Sequence, residues 1–193
     1  MMNLELKLNL LVVAGMFITL AFTSCSEGTT TTLDDLSDFS IKDTASVDQV
    51  IISEANGVSI KVQRRMNPGT WMLNDGEYAS REDAINLILE TAYRIKIKQI
   101  VSPNARENII KQIAGRNKKV EFFRNGEDEP FKTYYVGNGT ADKLGTYMLY
   151  QVPDMNGDGN PERSEPYIME KPGMYGTLDT RFFADMREWR SPA

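Results

Sequence analysis

The sequence predicts an α+β fold, with one or more antiparallel sheets and two central helices packed on one face. Three observations predict this class. Short runs rich in β-branched and aromatic residues occupy the first and last parts of the body of the chain. Two segments with helical spacing of apolar residues lie between them. Asn-Gly pairs follow or separate several of the strand-like runs, which is typical of hairpins in an antiparallel sheet.

The first part of the body predicts a short strand at 39–41, followed by a β-hairpin. The run 47–53 is rich in Val and Ile, and apolar and polar residues alternate over 58–62. Asn56-Gly57 stands between these runs. An Asn-Gly pair between two such runs is the strongest short-range signal for a hairpin.

Two helices are predicted in the middle of the body. Ser80 and Asp83 have the spacing of a capping pair at the start of the first helix, whose apolar residues recur every three or four positions. The apolar positions of 95–101 either close this helix or begin an alternating strand. Asn104 is predicted to cap the second helix, and Gly115 is predicted to end it.

Strand-like patterns return after the second helix. Four further strands are predicted at 120–123, 131–136, 147–152 and 167–169. Near the end of the chain, Phe182, Phe183 and Trp189 are expected to cover the end of the hydrophobic core.

The residue inventory restricts the chemistry. The chain contains no histidine and one cysteine. Ser-His-Asp and Cys-His catalysis need an imidazole, and Cys/His zinc sites need ligands that are absent. An enzyme would have to use Asp, Glu, Lys or Tyr as its acid and base. A nucleic-acid partner is not expected, because the net charge is −5 and the basic residues are dispersed rather than clustered in a patch.

The amino terminus predicts export. Residues 10–22 form an apolar run that is shorter than the roughly 20 residues needed to cross a bilayer, but has the length of a signal-peptide core. Lys7 is the only positive side chain before this run. We therefore expect a cleavable signal peptide at 1–24, a flexible tether at 25–37 and a single α+β domain at 38–190.

The end of this run resembles the lipobox of bacterial lipoproteins, with Thr23 and Ser24 directly before Cys25. The resemblance implies cleavage before Cys25 and attachment of acyl chains such as palmitate, which anchor firmly because each buried CH₂ contributes ~0.8 kcal/mol. Phe22 replaces the usual Leu, a variation common in Bacteroidota. Ser26 stands where an inner-membrane retention signal often has Asp, which favours the outer membrane of the cell envelope.

Six segments of the body carry a family resemblance: "DFSIKDTASVDQV", "REDAINLILETAYRIKIKQIVSPNARENIIKQIA", "KTYYVG", "GTYMLY", "EPYIMEKPG" and "TRFFADMREWR". They resemble the domain of unknown function numbered 4340, which is common in Bacteroidota lipoproteins. The resemblance covers Asp38 to Arg190 and implies no activity and no catalytic residue. Many members of that family continue beyond the position of Ala193, so this chain resembles a short or truncated member.

One segment has possible chemistry. Residues 154–165 fit the calcium-loop template D-x-[DN]-x-[DN]-G-x₅-E at every fixed position. Calcium takes six to eight oxygen ligands. The template would supply them from Asp154, Asn156, Asp158, Asn160, Glu162 and Glu165. The residues on either side of the template have strand-like patterns, whereas an EF-hand loop is flanked by helices. Pro161 occupies a position that usually carries an apolar residue. A polar loop with Asn-Gly and Asp-Gly turns accounts for the same residues, and both interpretations stay open.

The leading hypothesis for function is a non-enzymatic binding or assembly module, tethered to the membrane through Cys25 and contacting another envelope component. It depends on the anchor, the tether and the lack of catalytic side chains. A calcium-binding module that uses the 154–165 loop is the first alternative. A carboxylate-dependent hydrolase is the second, and it would need two acids that converge in a pocket.

Overall fold

The computed structural model describes residues 38–65, 69–152 and 162–191. These residues fall in one contact unit, Leu33–Ala193. In this described part of the chain, one large antiparallel sheet of ten strands is accompanied by three α-helices. The predicted mixed class with an antiparallel sheet is confirmed.

The bounds of the elements are as follows. The strands are β1 Val47–Glu54, β2 Ser59–Arg64, β3 Trp71–Leu73, β4 Tyr78–Ala79, β5 Lys96–Ile100, β6 Lys118–Arg124, β7 Lys132–Gly139, β8 Thr146–Val152, β9 Glu162–Arg163 and β10 Tyr167–Glu170. The helices are α1 Glu82–Arg94, α2 Pro103–Gly115 and α3 Met186–Trp189. The strand order in the sheet is β4-β3-β2-β1-β6-β7-β8-β10-β5, and β9 pairs with β8.

The predicted hairpin is confirmed as β1 and β2. Ile52 lies opposite Ile60, and Gly57 adopts a φ of +88° in the connecting turn, a conformation that glycine adopts without the steric penalty of a Cβ. The ambiguous stretch 95–101 contains strand β5. The strand predicted at 39–41 is not formed, because these residues run across the core without joining the sheet.

The larger hydrophobic core lies between one face of the sheet and α1. Ala84, Ile85 and Ile88 of α1 are buried in it. Alternate residues of the central strands face the same core, as the two-residue period of a strand requires. They include Val50, Ile52, Ile60, Val62, Val120, Phe122, Tyr134, Val136, Met148 and Tyr150. Phe182 and Trp189 are fully buried there, so the prediction that the last aromatic residues cover the core is confirmed for these two.

Helix α2 packs on a second, smaller core. Its buried residues Ile109 and Ile113 join Leu149, with Tyr135 packed against them. Tyr135 follows directly after Tyr134, which belongs to the larger core, and successive side chains of a strand point to opposite faces of the sheet. Helices α1 and α2 therefore lie on opposite faces of the sheet, and the prediction that both pack on one face is not confirmed.

Both predicted helix starts differ from the structure by one or two residues. Helix α1 begins after Arg81, and the Ser80 hydroxyl donates to the Arg81 carbonyl oxygen instead of accepting from the first turn. Helix α2 begins at Pro103, one residue before the predicted cap Asn104. Proline fits this first position because its missing N–H has no intrahelical partner there.

Candidate functional site

The residues that carry the sequence-based site predictions lie mostly outside the described residues. Cys25 is among them, and so are four of the six candidate calcium ligands, Asp154, Asn156, Asp158 and Asn160. Among the residues that the structure describes, no three His, Cys, Asp or Glu side chains are grouped as a metal site. The prediction of calcium binding therefore stays a prediction.

The two remaining candidate ligands, Glu162 and Glu165, are among the described residues. Glu162 begins strand β9, directly beside the end of β8. Glu165 forms a bidentate ion pair with Arg106 of helix α2, in which Nη2 donates to Oε1 over 2.6 Å and Nε donates to Oε2. A calcium ion at this loop would have to compete with the Arg106 guanidinium for the Glu165 carboxylate.

The direction of the strands gives the sheet two distinct ends. At one end β1 begins at Val47, β6 ends at Arg124 and β7 begins at Lys132. The Lys132 ammonium donates a hydrogen bond to the backbone carbonyl of Asp38, so we call this the Asp38 end. Strand β8 also ends here, at Val152.

Helix α2 packs mainly on β7 and β8 of the second sheet face. Among the described residues, no helix covers the side chains of β2, β1 and β6 that point to this face. Gln63, Gln49 and Phe123 lie in one row across these three strands. Lys61, the next β2 residue on this face, lies in the adjacent row, and its ammonium lies 2.7 Å from the Asp75 carboxylate of the β3–β4 turn.

A groove of about 800 Å³ lies over this surface toward the Asp38 end. Its floor contains Gln49, Gln63 and Phe123, and we call it the β1–β2–β6 groove. Arg65 lines one side, and the β6–β7 turn, which includes Asp128, lines the other. The volume falls within the range of about 300–1,000 Å³ that is typical of small-molecule sites.

The turn that forms one wall is held in place. Asn125 and Gly126 have positive φ values of 56° and 70°, and Glu127 donates its backbone N–H to the Arg124 carbonyl oxygen over 3.0 Å. Such dihedral angles are those of a type I′ turn, whose twist matches the flanking strands. The Gly126 N–H donates to the Asp48 carboxylate over 2.7 Å, which ties the turn to the start of β1.

Several polar groups in the groove have no protein partner. Among the described residues, the side chains of Arg65, Asp128, Gln49 and Gln63 form no hydrogen bond and no ion pair. The neighbouring Arg64 differs, because its guanidinium lies over the Trp71 ring and donates to a backbone carbonyl over 3.0 Å. The groove therefore offers a cation, an anion and two amides that a ligand can contact.

The carboxyl groups with shifted pKa values lie outside this groove. A hydrogen bond from Arg187 lowers the pKa of Asp185 to about 2, and a hydrogen bond from Arg81 lowers the pKa of Asp83. The pKa of Glu90 is lowered by Lys171. Carboxyls of this kind are ionised at neutral pH, which makes them poor proton donors in catalysis.

Sequence patterns alone do not identify the groove. Alternation in β2 indicates that Lys61 and Gln63 share one face, but it does not indicate that β1 pairs with β6. The Asn125-Gly126 turn is visible in the sequence, and it is the one local signal for the wall of the groove.

Comparison of the chain with protein-family models, with curated proteins and with solved structures found no match. The resemblance to the domain of unknown function 4340 therefore stays a prediction. Within the described ranges, no helix has both the length and the apolar character that a membrane-spanning helix requires.

Proposed function

We propose that this chain is an exported lipoprotein, fastened to the cell envelope through Cys25, whose folded domain acts as a non-enzymatic binding or assembly module. The observation that carries the proposal is the apolar run 10–22, which is followed directly by Thr23-Ser24-Cys25. The family resemblance described above supports the same assignment. The outer membrane is the proposed location.

The length of the predicted tether fits an anchored domain. The described domain begins at Asp38, 13 residues after Cys25, and its first residues are held by Lys132 and by the buried ring of Phe39. A flexible linker of that length has a root-mean-square span of roughly 20 Å. The domain would therefore remain near the membrane surface while its orientation stays variable.

Metabolic labelling with an alkyne fatty acid tests the anchor. Wild-type protein and Ser24→Ala should incorporate the label and sediment with membranes, because the thiol that accepts the lipid is present. Cys25→Ser should incorporate none and leave the membrane fraction. Unlabelled wild-type protein that retains residues 1–24 would overturn the proposal.

Calcium binding through 154–165 is a second proposal, favoured by the full match of the sequence to the template. Glu162 lies at the start of β9, and Glu165 follows shortly after this strand. The bound ion would tie this segment to the end of β8 and stabilise the folded state.

A further inference from the structure

The β1–β2–β6 groove carries unpaired charges of opposite sign. Among the described residues, Arg65 on one side and Asp128 on the other have no ion-pair partner. Both side chains are exposed. Two exposed charges stabilise each other little across solvent. Each contributes more binding free energy when a ligand covers it and forms a hydrogen bond to it with a group of the opposite charge.

The floor of the groove suits a ligand with amide groups. Gln49 and Gln63 lie directly opposite each other on neighbouring strands, and their side-chain amides can both donate and accept. Phe123 lies opposite Gln49 on the other side and is 6% exposed, so it adds a small apolar contact. Peptide groups of a ligand match these donors and acceptors.

The width of the floor sets the minimum size of the ligand. Gln63 and Phe123 lie two strand spacings apart, which corresponds to about 9–10 Å. Arg65 and Asp128 lie outside this row, so a ligand that contacts both has to span at least this distance. An extended peptide spans roughly 3.3–3.6 Å per residue and therefore needs at least three residues. A single amino acid is too short to reach across the floor.

We propose that the β1–β2–β6 groove binds a short zwitterionic peptide, with its carboxylate at Arg65, its ammonium group at Asp128 and its peptide groups over Gln49 and Gln63. This inference rests on the proposed binding role and names the ligand class for it. The groove lies toward the Asp38 end, so the bound peptide would lie on the side of the domain where Lys132 contacts Asp38.

Saturation-transfer NMR with the purified full-length chain tests the proposal. The probes are trialanine with free termini, N-acetyl-trialanine amide, which has the same length without charges, and chitotriose, an uncharged sugar of similar size. Trialanine should give saturation transfer and bind at least fivefold more tightly than the capped peptide. Equal binding of the two peptides, or transfer to chitotriose with none to trialanine, would overturn the proposal.

Matched variants locate the site. Arg65→Ala and Asp128→Asn should each weaken trialanine binding roughly three- to tenfold, since each removes one charged contact. Arg116→Ala, an exposed arginine at the opposite end of the sheet, and Glu129→Gln, the acid next to Asp128, should leave binding within twofold. Unchanged binding in both groove variants would place the peptide elsewhere and refute this assignment.

The outcome of the peptide-binding experiment can be distinguished from the outcome of the fatty-acid labelling experiment. Absence of peptide binding in a protein that is labelled at Cys25 would refute the ligand class alone. Peptide binding by a protein that incorporates no fatty acid would refute the anchor alone.

Discussion

The ring of Phe39 stands edge-on to the ring of Tyr150, with centroids 4.9 Å apart and an interplanar angle of 67°. Tyr167 makes a second edge contact with Phe39 at 5.6 Å. The Tyr134 hydroxyl donates to the Phe39 carbonyl oxygen. The first described residues of the domain are therefore fixed by three tyrosines of β7, β8 and β10, although they form no strand with them.

The hydrogen bond from Tyr134 to Phe39 should contribute measurably to the free energy of unfolding. Tyr134→Phe leaves the buried Phe39 carbonyl without its donor, which costs about 1–3 kcal/mol in the free energy of unfolding. Chemical denaturation monitored by tryptophan fluorescence measures this difference. Burial also raises the pKa of Tyr134 well above its ordinary value, so the hydroxyl stays protonated as the donor at neutral pH.

Tyr135→Phe is the matched control, since Tyr135 is the next residue and faces the opposite side of the sheet. Its hydroxyl is 3.4 Å from the Gln151 amide oxygen, a long and weak hydrogen bond. We expect a change within about 0.5 kcal/mol. Equal losses in the two variants would show that the Tyr134 bond to Phe39 has no special role.

The contact between β7 and α2 predicts a steric effect at Gly137. A Cβ at this position would lie 2.7 Å from Ile113 Cγ1 and 3.0 Å from the Tyr147 carbonyl oxygen. Gly137→Ala should therefore destabilise the domain by about 1–3 kcal/mol, because helix α2 has to shift on the sheet. Differential scanning calorimetry would report a lower melting temperature.

Gly115→Ala provides the comparison, because no heavy atom lies within 4 Å of the new Cβ and the residue ends helix α2. This variant should be neutral or more stable by up to about 1 kcal/mol, since alanine favours the helix. A Gly137→Ala protein as stable as Gly115→Ala would contradict the close packing of α2 on β7.

The stabilisation that Asp185 gives to the short helix α3 should depend on pH in the acid range. Asp185 accepts hydrogen bonds from the side chain and the backbone of Arg187, and these lower its pKa from 3.8 to about 2. A carboxyl with a lowered pKa in the folded state stabilises the protein fully above the unfolded pKa, and the contribution is lost as the pH falls through the folded pKa. The contribution of Asp185 to stability is therefore lost between about pH 4 and pH 2.

Melting temperatures of wild type and Asp185→Asn across this window test that expectation. Their difference should be constant from pH 7 to pH 5 and should shrink between pH 4 and pH 2. Glu188→Gln serves as the control, because it removes a charge from the same helix without removing the cap. A difference that persists unchanged at pH 2 would argue against ionised Asp185 as the stabilising group.

Calcium should raise the melting temperature if the 154–165 segment binds it. At 100 times the dissociation constant, a bound ion adds ~2.7 kcal/mol, or roughly 5–10 °C for a domain of this size. Asp158→Ala should abolish the shift, and Asp142→Ala, an acid in the β7–β8 loop, should retain it. Arg106→Ala should enlarge the shift, because it releases the Glu165 carboxylate.

Thermal melts in millimolar calcium and in chelator are the direct measurement. Identical curves for wild type under the two conditions would reject the calcium proposal and leave the segment as a polar loop. An equal calcium shift in the Asp158→Ala protein would place the ion elsewhere.

Local patterns in the sequence were sufficient for the elements whose partners are close along the chain. The Asn56-Gly57 turn with its flanking runs determined the β1–β2 hairpin, and helical spacing determined that α1 and α2 exist. The signal-like run and Cys25 determined the prediction of an anchor. Each of these depends on neighbours within about 20 residues, where residue type and period are informative.

Tertiary structure alone decided which distant strands meet and which face each helix covers. Val50 of β1 pairs with Phe122 of β6, more than 70 residues later in the chain, and the groove exists only because of that pairing. Helices α1 and α2 both have apolar faces, and the sheet between them presents two apolar surfaces through Tyr134 and Tyr135. A two-residue period shows that side chains alternate, but it does not show what packs on either side, because that depends on how the whole chain buries its apolar surface.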